Sequence, residues 1–139
     1  MVNVTIICIG KLKEKYLRDA CDEYIKRLSC LCKLNIVELS PERLSDNPSA
    51  REIENALNTE GRKIIEKIPA GSAVYSMCIE GKQRTSEELS REIDALAVSG
   101  TGSITFIIGG SFGLSEQVKK LSAERLSMSK MTFPHQLAR

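Results

Sequence analysis

The sequence alternates between short runs of β-branched apolar residues and longer amphipathic stretches, and this alternation constrains the fold more than any other feature. The first run, Val2–Ile9, is closed by Gly10 and is typical of a buried strand. The stretch that follows repeats its apolar residues every three to four positions, as an amphipathic helix does. Strands that alternate with helices predict an α/β fold, a mostly parallel sheet with helices on both faces.

The same two patterns continue along the chain. Further strands are predicted at 33–39, 72–80 and 103–108, with a short last strand within 124–131. Helices are predicted within 11–31, from the capping residue Ser49 to Ile68, from Thr85 or Ser86 to Ser99, and over 116–121. The packed face of the first helix is predicted to consist of Leu17, Cys21, Tyr24, Leu28 and Leu31.

Two local signals refine this prediction. Ser49 is followed three residues later by Glu52, which predicts a capping box, and the proline-containing stretch 40–49 predicts a loop. A chain of 139 residues supports one hydrophobic core, so a single domain over residues 1–139 is expected.

Composition argues against several classes of protein. The net charge of +2 is far below that of a general nucleic-acid binder. No apolar run approaches the roughly 20 residues of a membrane helix. One histidine and no Cys-x-x-Cys pair argue against a zinc site. Five cysteines without a secretory leader favour free thiols in a reducing cytosol, so a cytoplasmic location is expected.

The most informative segment runs from Thr105 to Ser115. A buried strand ends there in Gly109 and Gly110, and Gly113 follows before a helix begins. Glycines let backbone amides approach a ligand closely, although a tight strand-to-helix turn would also explain them. Their spacing fits neither the dinucleotide fingerprint nor the phosphate loop of nucleotide-binding proteins.

The same glycines also satisfy the pattern G-x-S-x-G, with Ser111 as a nucleophile. Glu124 and His135 follow in the order of an α/β-hydrolase triad. That fold needs a longer chain, and the turn falls too near the end to leave strands for the acid and the base. A serine hydrolase is therefore only the alternative interpretation of this turn, and reaction of Ser111 with a fluorophosphonate probe would support it.

Ligands of parallel sheets bind at the carboxyl ends of the strands. The loops after 72–80 and 103–108 and the final stretch of the chain are therefore expected to form one pocket. Apolar walls with exposed backbone amides suit an adenosine-bearing, neutral or cationic ligand better than a triphosphate. Beside this pocket, Lys82 and Arg84 are expected to meet phosphates of a nucleic acid.

Four stretches carry a resemblance to a known family: IGKLKEKYL, EGK, IIGGSFGL and LSMSKMTFPHQLAR. They resemble the ribosomal RNA large subunit methyltransferase H (RlmH) family of the SPOUT superfamily, and the resemblance spans Val2 to Arg139. It implies a fold with a C-terminal trefoil knot, S-adenosyl-L-methionine bound in that knot, and a homodimer. It also implies methylation of N3 of a pseudouridine in 23S ribosomal RNA of the large subunit.

The resemblance also implies site residues. Carried over by position, the cofactor contacts are Met77, Gly109, Gly110, Met128, Ser129, Lys130, Met131, Thr132 and Phe133. Family members continue beyond the position of Arg139 with a further helix, so a chain that stopped there would leave the knot incomplete. A non-catalytic, ribosome-binding protein with the same fold is the alternative, and cofactor binding separates the two.

Two further residues are candidates for the chemistry. Pseudouridine N3 carries a proton that must leave, and His135 is the one side chain whose ordinary pKa lies near neutrality. A role in capping or supporting the loop is the alternative for His135. Arg139 is expected to hold a phosphate or the dimer partner.

Overall fold

The computed structural model describes residues Met1 to Arg139. Its strands are β1 (Val2–Ile9), β2 (Cys32–Leu39), β3 (Ala73–Gln83), β4 (Ser103–Ile108) and β5 (Glu124–Ser127). Its helices are α1 (Lys15–Leu28), α2 (Ala50–Lys67), α3 (Ser86–Val98), α4 (Glu116–Leu121) and α5 (His135–Ala138). The predicted strands and helices are all present, and residues 40–49 form the predicted loop.

The five strands form one parallel sheet in the order β2-β1-β4-β3-β5. Because all strands run the same way, their carboxyl ends lie at one edge of the sheet. The loops that follow β1, β3, β4 and β5 therefore meet at that edge. The predicted α/β fold with a mostly parallel sheet is confirmed.

The core consists of two clusters on opposite faces of the sheet. Helices α2 and α4 cover the first cluster, whose buried members are Ile7, Ile9, Ile64, Val74, Ile107, Leu114 and Val118. Helix α3 covers the second, in which Tyr75, Ile104 and Leu126 are buried against Leu89, Ile93 and Leu96. Helices thus lie on both faces, as the alternating pattern predicts.

Helix α1 differs from its prediction. It spans Lys15–Leu28, within the predicted range 11–31, but none of its residues is buried. Tyr24 is 63% exposed, and Leu28 and Leu31 are exposed as well. The predicted packed face is therefore wrong for these three residues, because no other element lies over that side of the helix.

The N-terminus of α2 forms only half of the predicted capping box. The Ser49 hydroxyl accepts a hydrogen bond from the Glu52 N–H at 3.2 Å. The Glu52 carboxylate, however, accepts from the Ser45 hydroxyl at 3.3 Å instead of reaching back to Ser49. A complete capping box forms at α3, between Thr85 and Glu88.

None of the helices has the length and apolar character needed to cross a membrane.

Candidate functional site

A cavity of about 680 Å³ opens at the carboxyl edge of the sheet. Three segments enclose it: residues 77–80 of β3, residues 108–114 after β4, and residues 127–138 at the end of the chain. Lys119 reaches it from α4. The volume lies within the range of pockets that enclose small molecules and cofactors.

The first wall is the glycine loop, residues 109–114. A Cβ on Gly109 would collide with the carbonyl oxygen of Gly113 and lie 2.7 Å from its carbonyl carbon, so only glycine fits there. Gly113 has φ of +83°, in the left-handed region that favours glycine. Leu114, the last residue of the loop, and Ser115 after it are buried, and Ser115 caps α4 by accepting from the Val118 N–H at 3.3 Å. The loop is thereby fixed to the core.

The second wall comes from an irregularity in β3. Met77 and Lys82 both lie opposite Leu126 of β5, so the four residues between them leave the ladder. This β3 excursion, residues 78–81, brings Cys78, Ile79 and Glu80 to the cavity. The sequence predicted an uninterrupted strand over 72–80 and missed the excursion.

Gly81 shows why the excursion is possible. A Cβ at this position would lie 2.7 Å from the backbone of Arg125, so the excursion packs directly onto β5. The glycine in the EGK stretch was the one sequence signal for this close approach, because glycine inside a strand pattern often marks a bulge.

The third wall is the C-terminal segment, residues 128–139. Strand β5 ends at Ser127, earlier than the predicted limit of 131, and the chain then turns across the edge of the sheet. Ser127 donates to the Ser129 carbonyl at 2.8 Å, and the Ser129 hydroxyl accepts from the Met131 N–H at 3.1 Å. Pro134 precedes the short helix α5.

The cavity gathers most of the residues that the sequence singled out. Its lining includes Met77, Gly109, Gly110, Met128, Ser129, Met131, Thr132, Phe133 and His135. Lys130 and Arg139 lie outside the lining, and Lys130 is exposed.

Arg139 is engaged within the chain. Its side chain is only 9% exposed, and its guanidinium donates to the Glu38 carboxylate at 2.8 Å and to the Gly10 carbonyl at 3.4 Å. These contacts attach the end of the C-terminal segment to β2 and to the loop after β1.

The structure does not bring together the three residues of the hydrolase alternative. Ser111 and His135 both line the cavity, but Glu124 does not. The Glu124 carboxylate instead accepts two hydrogen bonds from Arg84, at 2.8 and 2.9 Å. A Glu92 carboxylate oxygen also lies 3.0 Å from Arg84 Nε. The guanidinium of Arg84, which was expected to meet phosphates, is thus engaged with two carboxylates of this chain.

The charges in the cavity belong to one ion pair. Lys119 Nζ lies 2.7 Å from Glu80 Oε1, and the hydrogen bond from Lys119 holds the pKa of Glu80 below its ordinary value. Burial alone would lower the pKa of Lys119, but the hydrogen bond and charge of Glu80 raise it overall. Burial raises the pKa of the Cys78 thiol, which keeps it protonated and a poor nucleophile. No cluster of three or more histidine, cysteine, aspartate or glutamate side chains is placed to hold a metal ion.

A parallel α/β sheet with a cavity between a glycine loop and a C-terminal segment is the architecture expected of a SPOUT methyltransferase. The family model described as "Predicted SPOUT methyltransferase" matches residues 2–139. The chain belongs to this family.

Two curated relatives are similar to this chain over nearly its whole length. A protein from Clostridium beijerinckii named ribosomal RNA large subunit methyltransferase H is 52% identical over 138 residues, which are 99% of this chain and 87% of the relative. A protein of the same name from Clostridioides difficile is 49% identical over the same shares. The resemblance to the RlmH family is therefore confirmed.

Proposed function

We propose that the chain is an S-adenosyl-L-methionine-dependent methyltransferase that acts on 23S ribosomal RNA, at N3 of a pseudouridine. The observation that carries the proposal is the composition of the cavity. Every cofactor residue implied by the resemblance lines it, except Lys130. The names of the relatives support ribosomal RNA as the substrate.

The cavity suits this cofactor better than a nucleotide triphosphate. Lys119 is the one lysine or arginine in its lining, and Glu80 neutralises it. A triphosphate would need several unpaired cations or a phosphate loop, whereas adenosine needs apolar walls and backbone polar groups. Met77 and Phe133 would provide such walls, and the glycine loop would provide backbone groups.

When bound, the cofactor supplies a methyl group on a positively charged sulfur. The residues of the cavity would hold the nucleophile in line with that methyl group and exclude water. His135, half-buried in the lining at the start of α5, is our candidate to accept the N3 proton.

The proposal includes a homodimer in the cytoplasm that acts on the large subunit or the assembled ribosome. The resemblance supports the homodimer, and so do the apolar side chains that α1 leaves exposed, Tyr24 and Leu28, together with Leu31 beyond its end. Light scattering coupled to size-exclusion chromatography tests this part, and a monomer at micromolar concentration would contradict it.

Calorimetric titration with S-adenosyl-L-homocysteine tests the cofactor. We expect saturable binding by the wild type and loss of binding in Gly109→Val, because valine would collide with Gly113. Gly102→Val is the matched control, since a Cβ at Gly102 would meet no atom within 4 Å and Gly102 lies outside the cavity. A cooperatively melting wild type that binds no ligand would contradict the proposal and favour the non-catalytic, ribosome-binding alternative.

The substrate is tested by incubating ribosomes and free 23S RNA with the protein and a methyl-labelled donor. We expect label in the large-subunit RNA, and mass spectrometry of nucleosides would place it on N3 of a pseudouridine. Label on another nucleoside would support methyltransferase activity but refute the proposed position of the methyl group.

His135→Ala tests the proposed base. If His135 accepts the proton, the rate of methyl transfer falls by about 10²–10⁴ while the affinity for S-adenosyl-L-homocysteine stays unchanged. An equal loss of rate and affinity would indicate that His135 only supports the loop.

A further inference from the structure

The cavity contains two fully charged side chains, Glu80 and Lys119, and they have opposite signs. The rest of its lining is glycine, apolar residues, small hydroxyl side chains and His135. A lone ion pair in such a lining can accommodate a ligand group that carries both charges and is neutral as a whole.

The pair is assembled by two separate elements. The β3 excursion supplies Glu80, and α4 supplies Lys119, whose side chain is only 17% exposed whereas that of Glu80 is 51% exposed. Glu116, the other carboxylate near Lys119 Nζ, is more distant at 3.9 Å. The lysine is thus held in place while the carboxylate faces open space.

The pair leaves polar atoms available. Lys119 donates to Oε1 of Glu80, so Oε2 of Glu80 and further N–H groups of Lys119 can still bind a ligand. Both side chains remain charged at neutral pH, since the pKa of Glu80 is lowered and that of Lys119 is raised.

We infer that Glu80 and Lys119 recognise the zwitterionic α-amino-acid end of the cofactor. Glu80 accepts hydrogen bonds from the ligand ammonium group, and Lys119 donates to the ligand carboxylate. This inference rests on the proposed binding of S-adenosyl-L-methionine and assigns its charged end to a place in the cavity. The adenosine part is left to the glycine loop and the apolar walls.

A pair of ligands separates the two parts of the cavity. S-adenosyl-L-homocysteine carries the amino-acid end, whereas 5′-methylthioadenosine keeps the adenosine and the thioether but lacks both charges. Titration of each ligand into the wild type, Glu80→Gln and Lys119→Met measures what the ion pair contributes. Lys120→Met is the matched control, because Lys120 is exposed on α4 and lies outside the lining.

We expect both variants to bind S-adenosyl-L-homocysteine roughly tenfold to a hundredfold more weakly, as is usual for the loss of a charged hydrogen bond. The affinity for 5′-methylthioadenosine stays within about twofold of the wild type in each variant, since this ligand has neither of the charged groups that the ion pair would bind. Lys120→Met binds both ligands like the wild type. Thermal melting of each variant establishes that it is folded. If Lys119→Met does not fold, Glu80→Gln alone tests the inference.

Two results would overturn the inference. Equal weakening of both ligands would mean that the ion pair only joins the β3 excursion to α4. Unchanged affinity for both would mean that the amino-acid end lies elsewhere. A folded wild type that binds neither ligand is a different result, because it refutes the proposed cofactor itself and this assignment with it.

Discussion

Two walls of the same cavity are held in very different ways. The glycine loop continues from buried β4 into Leu114 and Ser115, which are buried, so both of its ends belong to the core. The C-terminal segment instead exposes its large apolar side chains, which are Met128, Met131, Phe133 and Leu137. Its hydrogen bonds to the rest of the chain come from Ser127 at its start and from Arg139 at its end.

This difference indicates that the two walls have different roles in ligand binding. The glycine loop is a fixed surface, whose shape is set by backbone packing around Gly109 and Gly113. The C-terminal segment, which supplies most of the implied cofactor contacts, exposes its large apolar side chains, and a segment with few buried contacts opens locally at low cost. We therefore expect the C-terminal segment to become ordered when a ligand binds. The free energy needed for that ordering lowers the affinity for the ligand.

The strongest test of the comparison is the same substitution in both walls. Leu114→Ala removes a side chain that is 6% exposed, whereas Leu137→Ala removes one that is 61% exposed. We expect the first to lower the free energy of unfolding by about 2–5 kcal/mol and the second by less than about 0.5 kcal/mol. Urea denaturation measures both. Similar losses in the two variants would refute the contrast.

The ion pair between Arg139 and Glu38 is the next target. Arg139→Gln removes the guanidinium that attaches the end of the C-terminal segment, so the free segment exchanges its amide hydrogens faster. The affinity for S-adenosyl-L-homocysteine falls about tenfold, or about 1.4 kcal/mol, while the melting temperature changes little.

Hydrogen exchange followed by mass spectrometry and calorimetric titration provide these measurements. Glu38→Gln should act in the same direction but no more strongly, because it leaves the hydrogen bond from Arg139 to the Gly10 carbonyl. The double variant should be no worse than Arg139→Gln alone, because Arg139→Gln already removes the ion pair with Glu38. Fully additive losses of affinity would show that the two side chains act separately.

The smallest effects come from a matched pair of serines. Ser115 caps α4, and Ser129 accepts from Met131 within the C-terminal segment. Ser115→Ala should lower the free energy of unfolding by about 0.5–2 kcal/mol. Ser129→Ala should leave it unchanged and weaken ligand binding only a few-fold. Thermal melting and titration of both variants measure this, and a stability loss confined to Ser129→Ala would reverse the comparison.

The sequence predicted the parts of the molecule that depend on local pattern. Buried parallel strands are continuous apolar runs, so β1 and β4 were visible without any knowledge of their partners. The paired glycines after β4 indicated the glycine loop for the same reason, because glycine is required there by a turn of only a few residues. The family resemblance then added the residues of the C-terminal segment.

The rest of the site depends on contacts between distant residues. Cys78 and Ile79 continue the apolar run of β3, and apart from Gly81 nothing local marks the departure of residues 78–81 from the ladder, which depends on their packing against β5. Arg139 and Glu38 are 101 positions apart, so no local pattern could pair them. Helix α1 is the opposite case, because its amphipathic pattern predicted a partner that this chain does not place over Tyr24 and Leu28.

The order of the strands has a consequence for folding. Strand β1 pairs with β4, and Asn3 lies opposite Ser103. An all-parallel sheet has no hairpins, and pairing between residues so far apart slows folding. During synthesis, β1 and β2 emerge early and leave one edge of β1 open until β4 has been made. The middle of the sheet is therefore completed late, and the nascent chain is most prone to aggregation before residue 103 appears.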